Sequence, residues 1–385
     1  MPADTPEELE SWLKRTPHKT AVFFLARTAL RVFPLITAGS GRNDTIAASH
    51  RIVAARAILT AIVANRVSSS EVDAAIRRAA SALEAASWDP HCAHACSVAA
   101  YRIDAAQLRD AVVAYRTSEN AFIDDAHVAL DSDDSRHRVD DESMRSTTAM
   151  SADVGINSTN LALTPLWHDR GEPDWYPFPN ATQHNLRDYN DEWSFWREWY
   201  QGFLDGNPMN WELQRRVALI DNAIWKAGPD AVAEEIERIR AHYALELEIA
   251  ELKEKLRKSE VLQASAQRLH NQPPEAIENQ AAAIRQEITL VWDELVELEA
   301  EIAKPKPSPS KLNKIAQALW DISVRIGKYC GSKVDLALDE SAKVIGKTGT
   351  QVAIAYVTTT TAAQNEGIQS VVKAVWEFVK TLPPG

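Results

Sequence analysis

The sequence predicts an all-α protein, a helical bundle followed by a long antiparallel coiled-coil hairpin. Three observations carry that prediction. Ile277, Ala281, Ile284, Ile288, Val291, Leu295, Leu298 and Ile302 are spaced 4,3,4,3,4,3,4, which leaves one stripe on an α-helix. After Lys304-Pro-Lys-Pro-Ser-Pro-Ser310 a matching stripe follows at Leu312, Ile315, Leu319, Ile322, Ile326 and Tyr329. A link this short brings two such stripes together in one chain. Finally, no alternating apolar and polar run of useful strand length occurs in the 385 residues.

Residues 1–120 read as an alanine-rich bundle. Thr5-Pro6-Glu7-Glu8 combines a cap, a proline at the first helical position and a capping-box glutamate, and the helix it opens runs through Lys14. A second helix spans about Lys19 to Phe33 and is ended by Pro34. Asp44 is placed to cap a helix over about 45–66, and Ser68-Ser-Ser-Glu71 gives a capping box for one reaching about Ala86. Pro90 opens a fourth segment to about Tyr115. Repeated alanine lets helix backbones approach closely.

Residues 121–160 form an acidic loop and a short helix, about Ser143 to Val154. The stretch 121–142 holds eight acidic and two basic side chains, half of the net charge of −12 in 22 residues. Residues 161–271 are the tryptophan-rich region, with seven of the twelve tryptophans between Trp167 and Trp225. There Asn190 or Asp191 is the expected cap of a helix ending near Gly206, Asn210 begins another, and Gly228-Pro229 precedes a long one. Along that long helix Val232, Ile236, Ile239 and Tyr243 keep a 4,3,4 step. Leu245, Ile249, Leu252 and Leu256 resume it after a phase shift. The hairpin occupies 275–345, and 346–385 is a pair of C-terminal amphipathic helices, the second lined by Ile368, Val371, Val372, Val375, Val379 and Leu382.

Composition limits the function. A hydrophobic fraction of 45% supports real cores, and a charge of −12 argues against sequence-independent binding to nucleic acid, which needs a basic face. Three cysteines make no disulfide framework, and the acidic start has neither the basic nor the apolar region of a secretory signal. A cytoplasmic location is therefore expected. The apolar stretch from Ala21 to Ala38 is broken by Arg27, Arg31 and Pro34, so it reads as a buried helix and not a membrane span.

Four clusters resemble sites, and each fails on its chemistry. His91, Cys92, His94 and Cys96 include metal-capable groups, but on a helix the cysteines share a face that the histidines do not, and a second ligand pair would have to come from Cys330 or a distant histidine. Asp131, Asp133, Ser135 and Glu142 fit positions 1, 3, 5 and 12 of a calcium loop, yet Arg136 stands where the turn needs glycine and Arg138 adds a second cation. Ser341-Ala-Lys-Val-Ile-Gly346-Lys347-Thr348 ends like a phosphate-binding loop, but its first glycine is replaced by Ser341 and helix precedes it instead of a strand. Trp193, Trp196, Tyr200 and Phe203, flanked by Phe195 and Trp199, recur at helical spacing and read as core, with Glu198 and Asp205 as ordinary surface carboxylates. No catalytic, cofactor-binding or metal residue is assigned, and no cofactor is expected.

Pro165-Leu-Trp167, Pro173-Asp-Trp175, the Trp193–Tyr200 cluster, Ile224-Trp225 with Gly228-Pro229, and His270-Asn-Gln-Pro-Pro-Glu275 resemble motifs of helical alphaproteobacterial proteins. The resemblance covers roughly residues 160–345, implies a bacterial cytosolic origin and carries no activity with it. The function expected is a non-enzymatic helical scaffold or interaction protein, bound to a protein partner or to itself. The first alternative is a membrane-peripheral or membrane-active protein working through residues 346–385, where the charge balance is only +1. The second is an enzyme or ligand-binding protein with a site in the tryptophan-rich region.

Overall fold

A computed structural model of the chain describes scattered positions between residues 8 and 31, then residues 45–85, 149, 151–168, 193–266, 275–341 and 365–383. Among the described residues every regular element is helical and none is a strand, so the protein is all-α. It forms two compact units, Met1–Ile236 and Glu237–Gly385.

In the first unit the described positions between 20 and 31 are helical, and helix α1 follows at Thr45–Arg66 and α2 at Ser70–Ala85. The two pack on each other, and both carry buried small residues, Ala54, Ala55, Ala57 and Ala61 in α1 and Ala75 and Ala79 in α2. The cap of α2 is Ser69, whose Oγ accepts from the Val72 amide at 3.2 Å. This is one residue beyond the capping box expected at Ser68, so Glu71 falls inside the first turn and favours the positive end of the helix dipole instead. Short helix α3, Ser158–Ala162, is capped by the Asn157 side chain, which accepts from Thr159 and Asn160.

Helix α4 spans Ser194–Leu204, with Trp193 at its cap position and no side-chain cap bond. The helix thus starts later than the expected caps Asn190 and Asp191, which lie outside the described residues. Helix α5, Trp211–Ala218, is capped by Asn210 as its sequence requires, and α6, Asn222–Ala227, is capped by Asp221. Helix α5 packs against both α1 and α2. Between α4 and α5 the chain turns at Gly206 with φ 67, and a Cβ there would meet Leu163 O and Pro165 N at 2.7 Å. Only glycine combines that backbone angle with that approach.

Helix α7, Pro229–Ala266, contains the boundary between the units. Its phase shift after Tyr243 lies just beyond that boundary: Val232 and Ile236 are buried in the first unit, and Leu245, Ile249, Leu252 and Leu256 in the core of the second.

The second unit adds α8, Glu275–Ile302, α9, Pro309–Ser341, and a helix over 365–380, α10. Ile288, Val291, Leu295, Leu298 and Ile302 of α8 share one core with Leu312, Ile315, Leu319, Ile322 and Ile326 of α9. Two charged pairs join these helices in opposite chain order, Glu287 with Arg325 at 2.9 Å and Glu297 with Lys311 at 2.8 Å. The side chains of Ile277, Ala281, Ile284 and Tyr329 lie outside the described residues. The same core also takes the α7 stripe and Ile368, Val371, Val372, Val375 and Phe378 of α10. Four apolar faces therefore meet where the sequence suggested that two would close on each other.

The turn between α8 and α9 is held by Glu301, a buried carboxylate that accepts from Lys304 Nζ at 2.6 Å and the Ser308 amide at 2.9 Å. These bonds hold its pKa down at about 2, the lysine contributing most.

Candidate functional site

Two buried charged assemblies in the first unit and one exposed aromatic pair in the second stand out. The first assembly joins residues far apart in sequence. Arg27 and Arg31, one helical turn apart, both reach Asp153, and all three side chains are almost fully buried. Arg27 presents its side-on edge, with Nε donating to Asp153 Oδ2 at 3.1 Å and Nη2 to Oδ1 at 3.2 Å. Arg31 Nη2 donates to Oδ2 at 2.7 Å, and His168 Nε2 lies 2.6 Å from Oδ1.

Other guanidinium donors go to backbone, whereas Arg31 Nη1 is buried without a hydrogen-bond partner among the described residues. Arg27 donates to the carbonyls of Leu161, Thr164 and Pro165, and Arg31 to that of Leu166. On its other side the same strip is fixed by the Leu166 amide donating to Phe203 O and by the close approach of Gly206. Burial alone would raise the Asp153 pKa, but Arg31, the His168 contact and Arg27 together hold it well below the usual carboxylate range. With four donors on its two oxygens, Asp153 has no acceptor capacity left for a substrate proton. The assembly fastens residues 161–166 and does not resemble a catalytic base.

The second assembly surrounds Arg56, which is 2% exposed. Its Cζ lies 4.8 Å from the centroid of the Trp225 ring, and Nη1 donates to Asn222 Oδ1 at 3.0 Å. Trp225 is itself fixed by its indole N–H, which donates to Ile220 O. Arg66 stacks similarly on Trp211 at 4.7 Å. Around these the aromatic stripe is core, as its spacing implied. Trp193, Phe195, Trp196, Trp199, Tyr200 and Phe203 are all buried, and the rings of Phe195 and Trp196, Trp196 and Trp199, and Trp199 and Phe203 meet edge to face at 5.1–5.7 Å. Trp199 Nε1 donates to Gln214 Oε1, whose amide donates in turn to Met209 O. Glu198 and Asp205 are exposed on α4 and at its end, and Asp205 accepts from Gln201.

The other sequence candidates fall elsewhere. His91, Cys92, His94, Cys96, Asp131, Asp133, Ser135 and Glu142 lie outside the described residues, as do residues 342–348 of the phosphate-loop lookalike. Among the described residues no group of three or more histidine, cysteine or carboxylate side chains is placed to hold a metal. No described helix is long and apolar enough to cross a membrane.

In the second unit Trp320 of α9 and Trp376 of α10 are each 38% exposed, with ring centroids 6.1 Å apart. Val324, one turn beyond Trp320, is 39% exposed. By contrast the apolar face of α10, which a membrane role would require, is spent in the core. Sequence reasoning missed both arginine assemblies. The signal available was the pair Arg27 and Arg31 at i and i+4 inside an apolar run, which demands a shared buried counter-ion.

No family model, curated protein or solved structure matches this chain.

Proposed function

We propose that the chain is a non-enzymatic helical interaction protein that grips a protein partner through the surface formed by Trp320, Val324 and Trp376. In this reading α8 and α9 are an antiparallel hairpin whose stripes build the frame, and the aromatic pair on its outside is the contact. The observation that carries it is the exposure of two tryptophans brought together from separate helices. Tryptophan is among the residues that dominate binding energy at interfaces. These three side chains offer roughly 250 Å² of apolar surface, about a third of what one side of a standard interface buries. They suit the centre of a larger footprint whose rim is the polar helix surface, including Gln317, Lys373 and Lys380, all exposed.

A second copy of the chain is the alternative occupant, and the test below separates the two. The test is quantitative co-purification of the full chain with Trp320→Ser/Trp376→Ser beside it. The expected result is a stoichiometric partner, crosslinked to residues 317–324 and 373–380 and lost in the double variant. A partner retained by the variant, or a chain that only dimerises, overturns the reading. Leu247→Ser, exposed on α7, is the control substitution.

A further inference from the structure

We infer that Arg56 anchors a binding site for a small oxyanion, the carboxylate or phosphate group of a ligand, within the first unit. The argument rests on which edge of the guanidinium is used. Its Nη1 is taken by Asn222 and one face by Trp225, whereas Nε and Nη2 are buried without a hydrogen-bond partner among the described residues. Those two N–H groups are parallel and lie on the same side-on edge, the arrangement that grips a carboxylate or phosphate with two bonds.

Among the described residues that edge grips a carboxylate three times. Arg27 holds Asp153, Arg215 holds Glu212 and Arg325 holds Glu287, in each case with Nε on one oxygen and Nη2 on the other at 2.8–3.2 Å. Arg56 presents an identical fork, already oriented by stacking and by Asn222, in a more buried setting than two of those three. Three further features suit an anion. Arg78 of α2, exposed, is the charged neighbour that acts on Arg56, and the pair makes the locality positive. Trp196, whose ring centroid is 6.5 Å from that of Trp225, has a buried indole N–H without a partner among the described residues. Burial, with Arg78 adding, lowers the Arg56 pKa to about 10, which leaves it cationic at neutral pH. A cation held this way in an alanine-rich core is costly unless an anion joins it.

The experiment titrates the full chain by calorimetry with inorganic phosphate, acetate, succinate and citrate, each against sodium chloride of equal ionic strength. At least one should bind saturably with a Kd at or below about 1 mM. Arg56→Lys keeps the charge but lacks the side-by-side N–H pair, so binding should weaken at least about tenfold. Arg78→Gln should weaken it a few-fold, and because its side chain is exposed it carries the test if Arg56→Lys does not fold. In anion-free buffer Arg56→Met should melt no lower than the unsubstituted chain, since a buried cation gives way to an apolar side chain of similar reach. The inference is overturned if none of the four anions binds saturably, or if binding is undiminished in Arg56→Lys or, where that fails to fold, in Arg78→Gln. No anion binding together with a lower melting temperature for Arg56→Met would also overturn it, and would assign the fork to a carboxylate of the chain itself.

Discussion

Asp153→Asn tests whether one buried carboxylate holds the first unit together. In the native protein Asp153 is fully buried and receives bonds from Arg27 Nε, Arg27 Nη2, Arg31 Nη2 and His168 Nε2 at 2.6–3.2 Å. Asparagine is nearly isosteric, so no cavity forms, but it removes the only anion bonded to two buried cations among the described residues. One of its two terminal groups becomes an N–H donor facing other donors. Removing one member of a buried ion pair costs about 3–5 kcal/mol, because the remaining charges stay desolvated. That is a large share of the 5–15 kcal/mol typical of a folded domain. With a urea slope of about 2–3 kcal/mol/M for a unit of this size, the midpoint should fall by roughly 1–2 M.

The assay is urea unfolding of the full chain followed by circular dichroism, with Glu287→Gln as a control. That substitution removes a surface-accessible pair with Arg325 and should cost under about 1 kcal/mol. The sign with pH follows from the depressed Asp153 pKa: its stabilisation is complete above the unfolded value near 3.9 and is lost as pH falls below it. Asparagine should abolish that acid-dependent loss. A cost below about 1 kcal/mol, or unchanged acid sensitivity, would refute the claim that Asp153 neutralises the arginine pair.

Gly206→Ala should destabilise by at least about 2 kcal/mol, since its Cβ meets backbone at 2.7 Å, whereas Gly228→Ala, also at positive φ but with nothing within 4 Å, should cost less; thermal melts compare them. Leu295→Asp and Ile322→Asp each place a carboxylate in the second unit's core and should cost several kcal/mol, about 3–5, read from urea midpoints. Glu301 is held at a pKa of about 2, so its contribution is complete above the ordinary glutamate value near 4.3 and is lost as pH falls toward 2. Glu301→Gln should flatten the stability of the second unit over that range, read by urea midpoints at several pH values. Trp320→Ser and Trp376→Ser, at exposed rings, should leave the melting temperature within a few degrees of native while removing partner binding.

How much of this was readable in the sequence depended on whether the determining contacts were local. The stripes at Ile288–Ile302 and Leu312–Ile326 repeat every third or fourth residue, and that period alone marks which side chains are buried. It does not say how many faces meet, so the shares of α7 and α10 in the same core were not evident. The slip from Tyr243 to Leu245 was visible as a broken period. Its meaning needed the structure, which assigns Ile236 to the first unit and Leu245 to the core of the second. Arg27 and Asp153 lie 126 positions apart, and no local pattern records such a bond. Asn210 was legible as a cap because its bond to Glu212 spans two residues.

The exposed tryptophans follow from the same periodicity, read for what lies off the stripe. Trp320 is one residue past Leu319, and Trp376 one past Val375, so each is turned about 100° from a buried position. Phe378, three residues past Val375, returns to the stripe and is 1% exposed. Bulk alone therefore did not decide burial on α10; phase did. A tryptophan placed off phase on two helices, with the two rings then meeting at 6.1 Å, is not needed to fill the core, which is closed by aliphatic residues and Phe378. Arg56 is the converse case. It sits in phase on a helix whose neighbours are buried alanines and isoleucine, where packing would select an apolar side chain. Each of these residues departs from what its helix position asks for, which is the pattern expected of groups kept for binding.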